Sequence, residues 1–227
     1  MKSGIVLTPD VRSKAYLQKA LSNEITFDKI IFMNDSRPEP TYSQDEINCA
    51  KSYGFDITIP VKNTLNDNHL EYTLIDKVDI NHKNLVKIIK SSSIDVFIFT
   101  GGGILKNEIL NAGAKFVHLH PGIVPNYRGS TCFYYSILNE DRCGVTVFFM
   151  DPQLDTGDII YQKLFEKPNH KFIDNVFDAH IRSETLVDIF QNNLLESHSF
   201  TKQNPKDGNT YFIIHPVLKH IAILSCL

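Results

Sequence analysis

Two short polar motifs, centred on His120 and Asp155, contain the residue types that acyl transfer to an amine requires. An imidazole titrates near neutral pH and can accept the amine proton, while a carboxylate can orient the imidazole or stabilise its cationic form. His120 follows the apolar run from Phe116 to Leu119, and Asp155 lies in a loop between two further apolar runs. We therefore predict that both side chains reach one cleft. Taken alone, His120 would also fit a turn cap and Asp155 an Asx turn.

Two glycine-containing turns lie near these motifs in the sequence. Gly101, Gly102 and Gly103 directly follow a strand predicted at Asp95 to Thr100, and glycines there let ligand atoms approach backbone amides. The sequence has no GxGxxG or GK[ST] pattern, so a phosphate loop is disfavoured, and a simple turn is the other interpretation. In the turn Tyr127-Arg128-Gly129, the arginine either lies near a substrate phosphate or holds the loop by an ion pair.

Strands and helices alternate over the first 120 residues, which predicts an α/β fold. We expect an open, mostly parallel twisted sheet with helices on both faces, and a ligand crevice at the carboxyl ends of its strands. The longest helix is predicted at Asn175 to Glu196, an extended piece at Asp56 to Val61, and surface loops at Asn63 to His69 and at Asn34-Asp35-Ser36. The polar stretch 198–210 predicts a catalytic domain at 1–197 and a short extension at 198–227.

Composition limits the classes of partner. The net charge of -3 and the pI near 6.3 give no electrostatic reason to expect nucleic acid or a membrane. The four cysteines have no CxxC spacing and predict reduced thiols in a cytoplasmic protein. No metal site is predicted, because the histidines at 82, 170, 180 and 198 have no ligand-like spacing. The apolar tail from Ile213 to Leu227 is expected to pack on the domain or on a second subunit.

The region from Asp95 to Ile160 resembles the formyltransferase family. The matching motifs are His120-Pro121-Gly122-Ile123-Val124-Pro125, Tyr127-Arg128-Gly129, Gly144-Val145-Thr146 and Leu154-Asp155-Thr156-Gly157-Asp158-Ile159. This resemblance implies a Rossmann-like fold and assigns the family's catalytic His and Asp to His120 and Asp155. Where the family has an Asn that binds the formyl oxygen, this chain has His118.

Three interpretations of His118 remain open. The imidazole replaces the Asn as an N–H donor in a working enzyme, the acyl group that is transferred has changed, or the protein binds its ligands without efficient catalysis. Loss of one oxyanion donor typically lowers turnover by roughly 10²- to 10³-fold. We include His118 among the predicted catalytic residues.

The resemblance also implies a formyl donor, 10-formyltetrahydrofolate, and a small amine acceptor. The donor is expected to contact two loops, Gly101, Gly102, Gly103, Ile104 and Leu105 in one, and Asp151, Pro152, Gln153 and Leu154 in the other. The acceptor is expected to contact Tyr127, Arg128, Gly129, Thr8 and Pro9.

By elimination, the leading acceptor is a 4-amino-4,6-dideoxy sugar linked to dTDP or UDP. The chain has no Gly-Ser-Asn phosphate loop of the glycinamide ribonucleotide enzymes. Fewer than 30 residues follow Phe200, whereas the enzymes that act on initiator tRNA have a sizeable C-terminal domain. Many relatives of this kind are dimers, so a homodimer is also expected.

Overall fold

One seven-stranded sheet is the frame of the protein within residues 1–34, 38–77, 79–196 and 200–227, which the computed structural model describes. The strands of the described residues are β1 (Ser3–Leu7), β2 (Lys29–Met33), β3 (Thr73–Ile75), β4 (Val96–Phe99), β5 (Lys115–His120), β6 (Arg128–Gly129), β7 (Arg142–Phe149), β8 (Ile159–Glu166) and β9 (Thr210–Tyr211). The sheet order is β3-β2-β1-β4-β5-β7-β8, and β6 pairs with β9 separately. The first five strands of this order are parallel to one another. The strand β7 runs antiparallel to both of its neighbours, β5 and β8. The predicted mostly parallel α/β sheet is confirmed.

Helices pack on both faces of the sheet. They are α1 (Val11–Ser22), α2 (Gln44–Ser52), α3 (Val61–Asp67), α4 (Lys83–Ser91), α5 (Asn107–Leu110), α6 (Cys132–Glu140), α7 (Asp178–Gln191) and α8 (Pro216–Leu224). The side chain of Asp10 caps α1 by accepting a hydrogen bond from the Ser13 amide at 2.8 Å. Apolar side chains of α1, α6 and α7 fill the core on one face, and those of α4 and α5 fill the core on the other.

The alternation of side chains along β5 decides where the two histidines point. Val117 and Leu119 belong to the core that α7 covers, whereas Phe116 belongs to the opposite core. Because successive side chains of a strand point to opposite faces, His118 and His120 share the face of Phe116. Both imidazoles therefore lie on one side of the sheet, close to the carboxyl end of the strand.

Three expectations for secondary structure were wrong. The segment expected as a loop at Asn63 to His69 is mostly the helix α3, whose Val61, Thr64 and Leu65 are buried while its other residues face solvent. The extended piece expected at Asp56 to Val61 ends in that helix, and the short edge strand β3 was not expected. The helix predicted at Asn175 to Glu196 is shorter: α7 follows a π-helical turn and precedes a 3-10 turn. Asp35 and Ser36 of the predicted loop lie outside the described residues.

The C-terminal segment packs against the body of the protein. Thr201 forms an isolated bridge with Ile159, and β9 pairs with β6. The helix α8 packs on α6, and Ala222 in the helix and Cys226 just beyond it are buried. Its other side exposes apolar side chains at Val217, Leu218, Ile221 and Leu224. The division into domains at 197 and 198 stays a prediction.

Two further findings bear on the sequence-based expectations. All four cysteines are free thiols. Across the described ranges, no helix combines the length and the apolar character that a membrane span needs.

Candidate active site

His120 is held at the end of β5 by a single strong contact. Its ring is buried, with 2% of the side chain exposed, and Nε2 lies 2.8 Å from the carbonyl oxygen of Tyr127. A carbonyl oxygen only accepts, so Nε2 carries a proton and donates it. The close approach requires Gly122, because a Cβ there would lie 2.9 Å from His120 Nε2 and 2.7 Å from the Tyr127 oxygen. The Tyr127 hydroxyl in turn donates to Glu140 at 2.8 Å.

Asp155 reaches the same point from the loop between β7 and β8. Its Oδ2 lies 3.5 Å from His120 Nδ1 and accepts a hydrogen bond from the Gly129 amide at 2.7 Å. The backbone of Asp155 is in the left-handed region, with φ of 53°, a conformation that is uncommon outside glycine but tolerated by Asp. Gly157 permits this tight loop, because a Cβ there would lie 1.6 Å from the Phe149 carbonyl oxygen.

The geometry of this pair defines one proton-binding position. Since Nε2 of His120 carries the proton in the neutral ring, Nδ1 has the lone pair and faces Asp155 Oδ2. Two acceptors 3.5 Å apart do not bond to each other, but both can bind one hydrogen placed between them. An N–H of an incoming amine, or the proton of an imidazolium, meets that requirement. The arrangement can therefore take up an amine proton and stabilise the resulting cation.

His118 lines the cavity beside His120, and its ring centroid lies 6.3 Å from that of His120. Its Nδ1 is buried and has no hydrogen-bond partner among the described residues. The residue lines the cavity, and Nε2 is not among the buried nitrogens that lack a partner. Burial, and secondarily the nearby Arg182 cation, lower the pKa of His118 well below its ordinary value. A neutral His118 has one N–H, which we expect on Nε2, where a ligand oxygen can accept it.

Two arginines supply the positive charge of the site. Arg182, on α7, is buried behind β5 and donates from Nε to Asp178 at 2.8 Å and from Nη1 to the Leu119 carbonyl at 2.9 Å. Arg12, in the first turn of α1, lies 3.5 Å from Asp10 and has a partly exposed side chain. Both residues line the same cavity as His120 and Asp155. Arg182 is paired with the buried Asp178, so the partly exposed Arg12 is the arginine that can contact an anionic group of a ligand.

The cavity that contains the pair has a volume of about 580 Å³, which is within the usual range for small-molecule sites, roughly 300 to 1,000 Å³. A smaller space of about 30 Å³ adjoins it and shares Gly103, Ile104, Leu154 and Asp155 with it. Leu105, Asp151 and Gln153 also line the smaller space. The two loops predicted to hold the donor thus meet beside the imidazole–carboxylate pair.

Several predicted site residues do not line this cavity. Thr8 is buried, and its hydroxyl donates to Asp10 at 2.7 Å, so it stabilises the β1–α1 turn. Pro9, Gly101, Pro152 and Tyr127 are also absent from the described lining of the cavity, although the Tyr127 carbonyl binds His120. From the predicted turn 127–129, only Gly129 lines the cavity.

Arg128 holds a loop, but through neutral acceptors and not through the predicted ion pair. Its side chain is buried, and its five N–H groups donate to Gln203 Oε1 twice and to the carbonyls of Asn204, Pro205 and Asp207. Because every donor is used, no N–H of the guanidinium remains for a substrate phosphate.

Residues that the sequence motifs did not single out complete the site. Arg12 and Arg182 were not predicted, and neither were Ser130 and Thr131, which also line the cavity. Thr146 accepts from the Val124 amide at 3.1 Å and donates to the Gly122 carbonyl at 2.7 Å, so it fixes the turn after His120. For Thr146 the sequence did contain a signal, the Gly-Val-Thr motif, because the strand of this motif pairs with the strand that ends in the His-Pro motif.

A larger cavity, of about 860 Å³, lies at the amino ends of the strands, away from the pair. Its described lining includes Met1, Asp95, Lys115 and Glu196, and it contains no imidazole. In an open α/β sheet, ligands bind beyond the carboxyl ends of the strands. The smaller cavity with His120 is therefore the candidate active site. No group of three or more metal-binding side chains occurs in the described part of the chain.

We expect the imidazoles of His120 and His118 to become protonated at lower pH than a free histidine does. Burial lowers the pKa of His120 and of His118 from the ordinary value of 6.5, although Asp155 opposes the shift of His120. A titration of the ring protons by NMR should place both midpoints below that of free histidine in the same buffer. The unfolded chain binds more protons in this window, so the free energy of unfolding should decrease as pH falls below 6.5. A midpoint at or above 6.5 for His120 would contradict the prediction.

An open α/β sheet with an imidazole and a carboxylate together at its carboxyl edge is typical of Rossmann-like domains with an acid–base site. The formyl transferase family pattern matches residues 15–174. The chain therefore belongs to the formyl transferase family.

Relatives matched by sequence include methionyl-tRNA formyltransferases. The methionyl-tRNA formyltransferase of Helicobacter pylori (strain J99) is 25% identical over 164 residues, which is 71% of this chain and 50% of that protein. The chain thus spans half the length of this relative.

Two solved structures share the fold. The N-formyltransferase of Helicobacter canadensis, in complex with folinic acid and dTDP-3-aminofucose, has a TM-score of 0.62 and 18% identity, with 93% of this chain and 71% of that chain covered. A 4-N formyltransferase of Francisella tularensis has a TM-score of 0.60 and 18% identity, with 99% and 87% covered.

Proposed function

We propose that this protein is an N-formyltransferase that moves a formyl group from 10-formyltetrahydrofolate to the amine of a nucleotide-linked amino sugar. The observation that carries the proposal is the approach of His120 Nδ1 and Asp155 Oδ2, 3.5 Å apart, at the wall of a cavity that also contains two arginines. A cytoplasmic location and a homodimer are parts of the same proposal.

His120 and Asp155 manage the proton of the acceptor amine. When the amine attacks the formyl carbon, a C–N bond forms and the nitrogen becomes more acidic. His120 Nδ1 accepts the proton, and Asp155 stabilises the imidazolium. The same proton is then available to the nitrogen that leaves with tetrahydrofolate, so His120 returns to its neutral form.

His118 is proposed to donate its single N–H to the formyl oxygen. Negative charge develops on that oxygen while the amine attacks, and a fixed donor stabilises it. His118 and His120 lie on the same face of β5, so one faces the oxygen and the other faces the nitrogen. A neutral His118 suits this role, because a second cation beside His120 would oppose its protonation.

The heterocycle of the donor is proposed to bind in the cavity of about 580 Å³, on the side that Gly103, Ile104 and Leu154 line. Backbone groups there can bind polar ring atoms, and Ile104 and Leu154 offer apolar surface. The space of about 30 Å³ between the two loops holds no more than a water molecule. When bound, the donor supplies an activated formyl carbon.

The choice of acceptor is supported by charge and by structural relatives. Arg12 is partly exposed in the cavity and can attract a diphosphate. The solved relatives include an N-formyltransferase in complex with dTDP-3-aminofucose. The net charge of -3 does not favour a tRNA. The second candidate acceptor is initiator methionyl-tRNA, because relatives by sequence are named for that reaction.

A panel of acceptors tests the proposal. Purified protein with 10-formyltetrahydrofolate is given 3-amino and 4-amino sugars linked to dTDP or UDP, glycinamide ribonucleotide, and initiator methionyl-tRNA. We expect a product heavier by one formyl group, together with release of tetrahydrofolate, only with an amino sugar. Turnover with methionyl-tRNA alone would make this tRNA the acceptor in place of the amino sugar. Folate binding without turnover of any acceptor would overturn the proposed activity. A different mass increment would show another acyl group.

His118→Asn tests whether the imidazole is an adapted donor or an impairment. We expect kcat to fall, by about 10-fold or more, because the carboxamide of Asn is shorter than the imidazole and would place its N–H at a different point. The measurement is kcat with the acceptor that the panel identifies, with folate affinity measured separately by calorimetry. A sharp rise in kcat in His118→Asn would instead mean that the native protein is an impaired homologue.

A further inference from the structure

Gln203 connects the two loops of the candidate active site, although it lies outside the part of the chain that the family pattern matches. Its Nε2 donates to the Gly157 carbonyl at 2.7 Å and to the Asp155 carbonyl at 3.2 Å. Its Oε1 accepts two hydrogen bonds from the guanidinium of Arg128, at 2.8 and 3.2 Å. One partly buried side chain thus holds the β7–β8 loop and the turn after β5 together.

The two loops meet again at Asp155 itself. Its carboxylate accepts from the amide of Gly129, which directly follows Arg128 in β6. The distance from Oδ2 to His120 Nδ1 therefore depends on how the β7–β8 loop sits relative to the 127–129 turn. The backbone of Asp155 is in the left-handed region, which Asp tolerates but does not prefer, so contacts with the neighbouring carbonyls help to keep it there.

The contacts of Gln203 are the ones that enforce this conformation from the C-terminal side. They bind the carbonyl groups of Asp155 and of the glycine two residues later, so they restrain the backbone on both sides of Thr156. Arg128, whose other donors bind the 204–207 backbone, holds Gln203 in place. The carboxylate has no other direct restraint among the described residues than the Gly129 amide and His120.

We propose that Gln203 is a positioning residue, which fixes the carboxylate of Asp155 against His120 and thereby couples the C-terminal segment to catalysis. The proposal rests on the proposed function for its kinetic consequence only. The restraint on the loop is a property of the ligand-free protein, and it can be measured whether or not an acceptor is known.

Gln203→Glu separates the acceptor role of Gln203 Oε1 from the donor role of its Nε2. A carboxylate still accepts from Arg128 and keeps that guanidinium paired, but it loses the N–H donors and repels the carbonyls of Asp155 and Gly157. The matched control is Lys206→Gln, a change in the same segment at an exposed side chain that makes no hydrogen bond among the described residues. Gln203→Leu, which lacks both functions, is a second variant for comparison.

Amide hydrogen exchange is the first measurement. We expect the Gly129 amide, which Asp155 Oδ2 protects, to exchange about 10-fold faster in Gln203→Glu than in the wild-type protein. In Lys206→Gln its exchange rate should equal that of the wild type. Unchanged exchange at Gly129 in a folded Gln203→Glu protein would overturn the proposal, even if no acceptor is ever found.

Steady-state kinetics is the second measurement, with the acceptor that the panel identifies. We expect kcat to fall about 10- to 100-fold in both Gln203 variants, with KM for the acceptor changed less than about threefold, because small misplacements of a catalytic group act on turnover. An unchanged kcat, or a rise in KM alone, would overturn the positioning role. Failure of the wild-type protein to turn over any acceptor would count against the proposed function and leave the exchange result standing.

Discussion

Replacing His120 by glutamine is expected to lower kcat about 10³-fold or more with the natural acceptor. Glutamine can still donate to the Tyr127 carbonyl and fill much of the space of the ring, but it has no base at the position of Nδ1. General acid–base catalysis contributes roughly 10²- to 10⁴-fold, and here one ring serves both proton transfers of the proposed reaction. Initial rates of formylated product measure the loss.

The control for this variant is His220→Gln. His220 lies on α8 with its side chain exposed and makes no hydrogen bond among the described residues. Its replacement should leave kcat unchanged. Folate affinity should also change little in His120→Gln, since the donor loops do not include this ring. A His120→Gln protein that keeps more than about a tenth of wild-type kcat would remove the imidazole from the mechanism.

The second large effect is expected for Asp155→Asn, which should lower kcat by about 10²- to 10⁴-fold. The carboxamide oxygen can still accept from the Gly129 amide, so the loop should stay in place. The negative charge that stabilises the imidazolium of His120 is lost. Because Asp155 raises the pKa of His120, the titration midpoint of that ring should also move to lower pH in this variant.

Asp45→Asn is the matched control, because Asp45 is exposed in the first turn of α2 and makes no contact with the cavity. The double variant His120→Gln/Asp155→Asn gives a further test. Residues that act as one unit lose most of their effect with the first substitution. We therefore expect the double variant to be about as slow as the slower single variant. Effects that multiply fully would show that the two side chains act independently.

Local sequence was sufficient to place His120 at the carboxyl end of β5. For Asp155 the motif was the signal, because strand order alone does not bring it there. The strand β7 is antiparallel to β5, so its carboxyl end lies beside the start of β5, and the β7–β8 loop folds back to bring Asp155 to His120. The helix α3 was missed because only Val61, Thr64 and Leu65 of it are buried, so its sequence is polar nearly all round. Its stability comes from packing against α1, which is not visible in the segment itself.

Arg182 and Gln203 could not be predicted from the sequence, for a different reason. Their contacts join residues that are far apart in the chain, Arg182 to Leu119 and Gln203 to Asp155. Nothing in the composition around either residue marks it as functional. Arg128 shows the same limit: the sequence offered a substrate phosphate or an ion pair, and the structure has five hydrogen bonds to four neutral acceptors in a segment about 75 residues away.

The lack of a side chain at Gly122 has a practical consequence for engineering. A methyl group there would meet both ends of the hydrogen bond that sets the tautomer of His120. Saturation libraries aimed at new acceptors should therefore leave codon 122 fixed and diversify positions 130 and 213, which line the cavity and make no hydrogen bond to the imidazole.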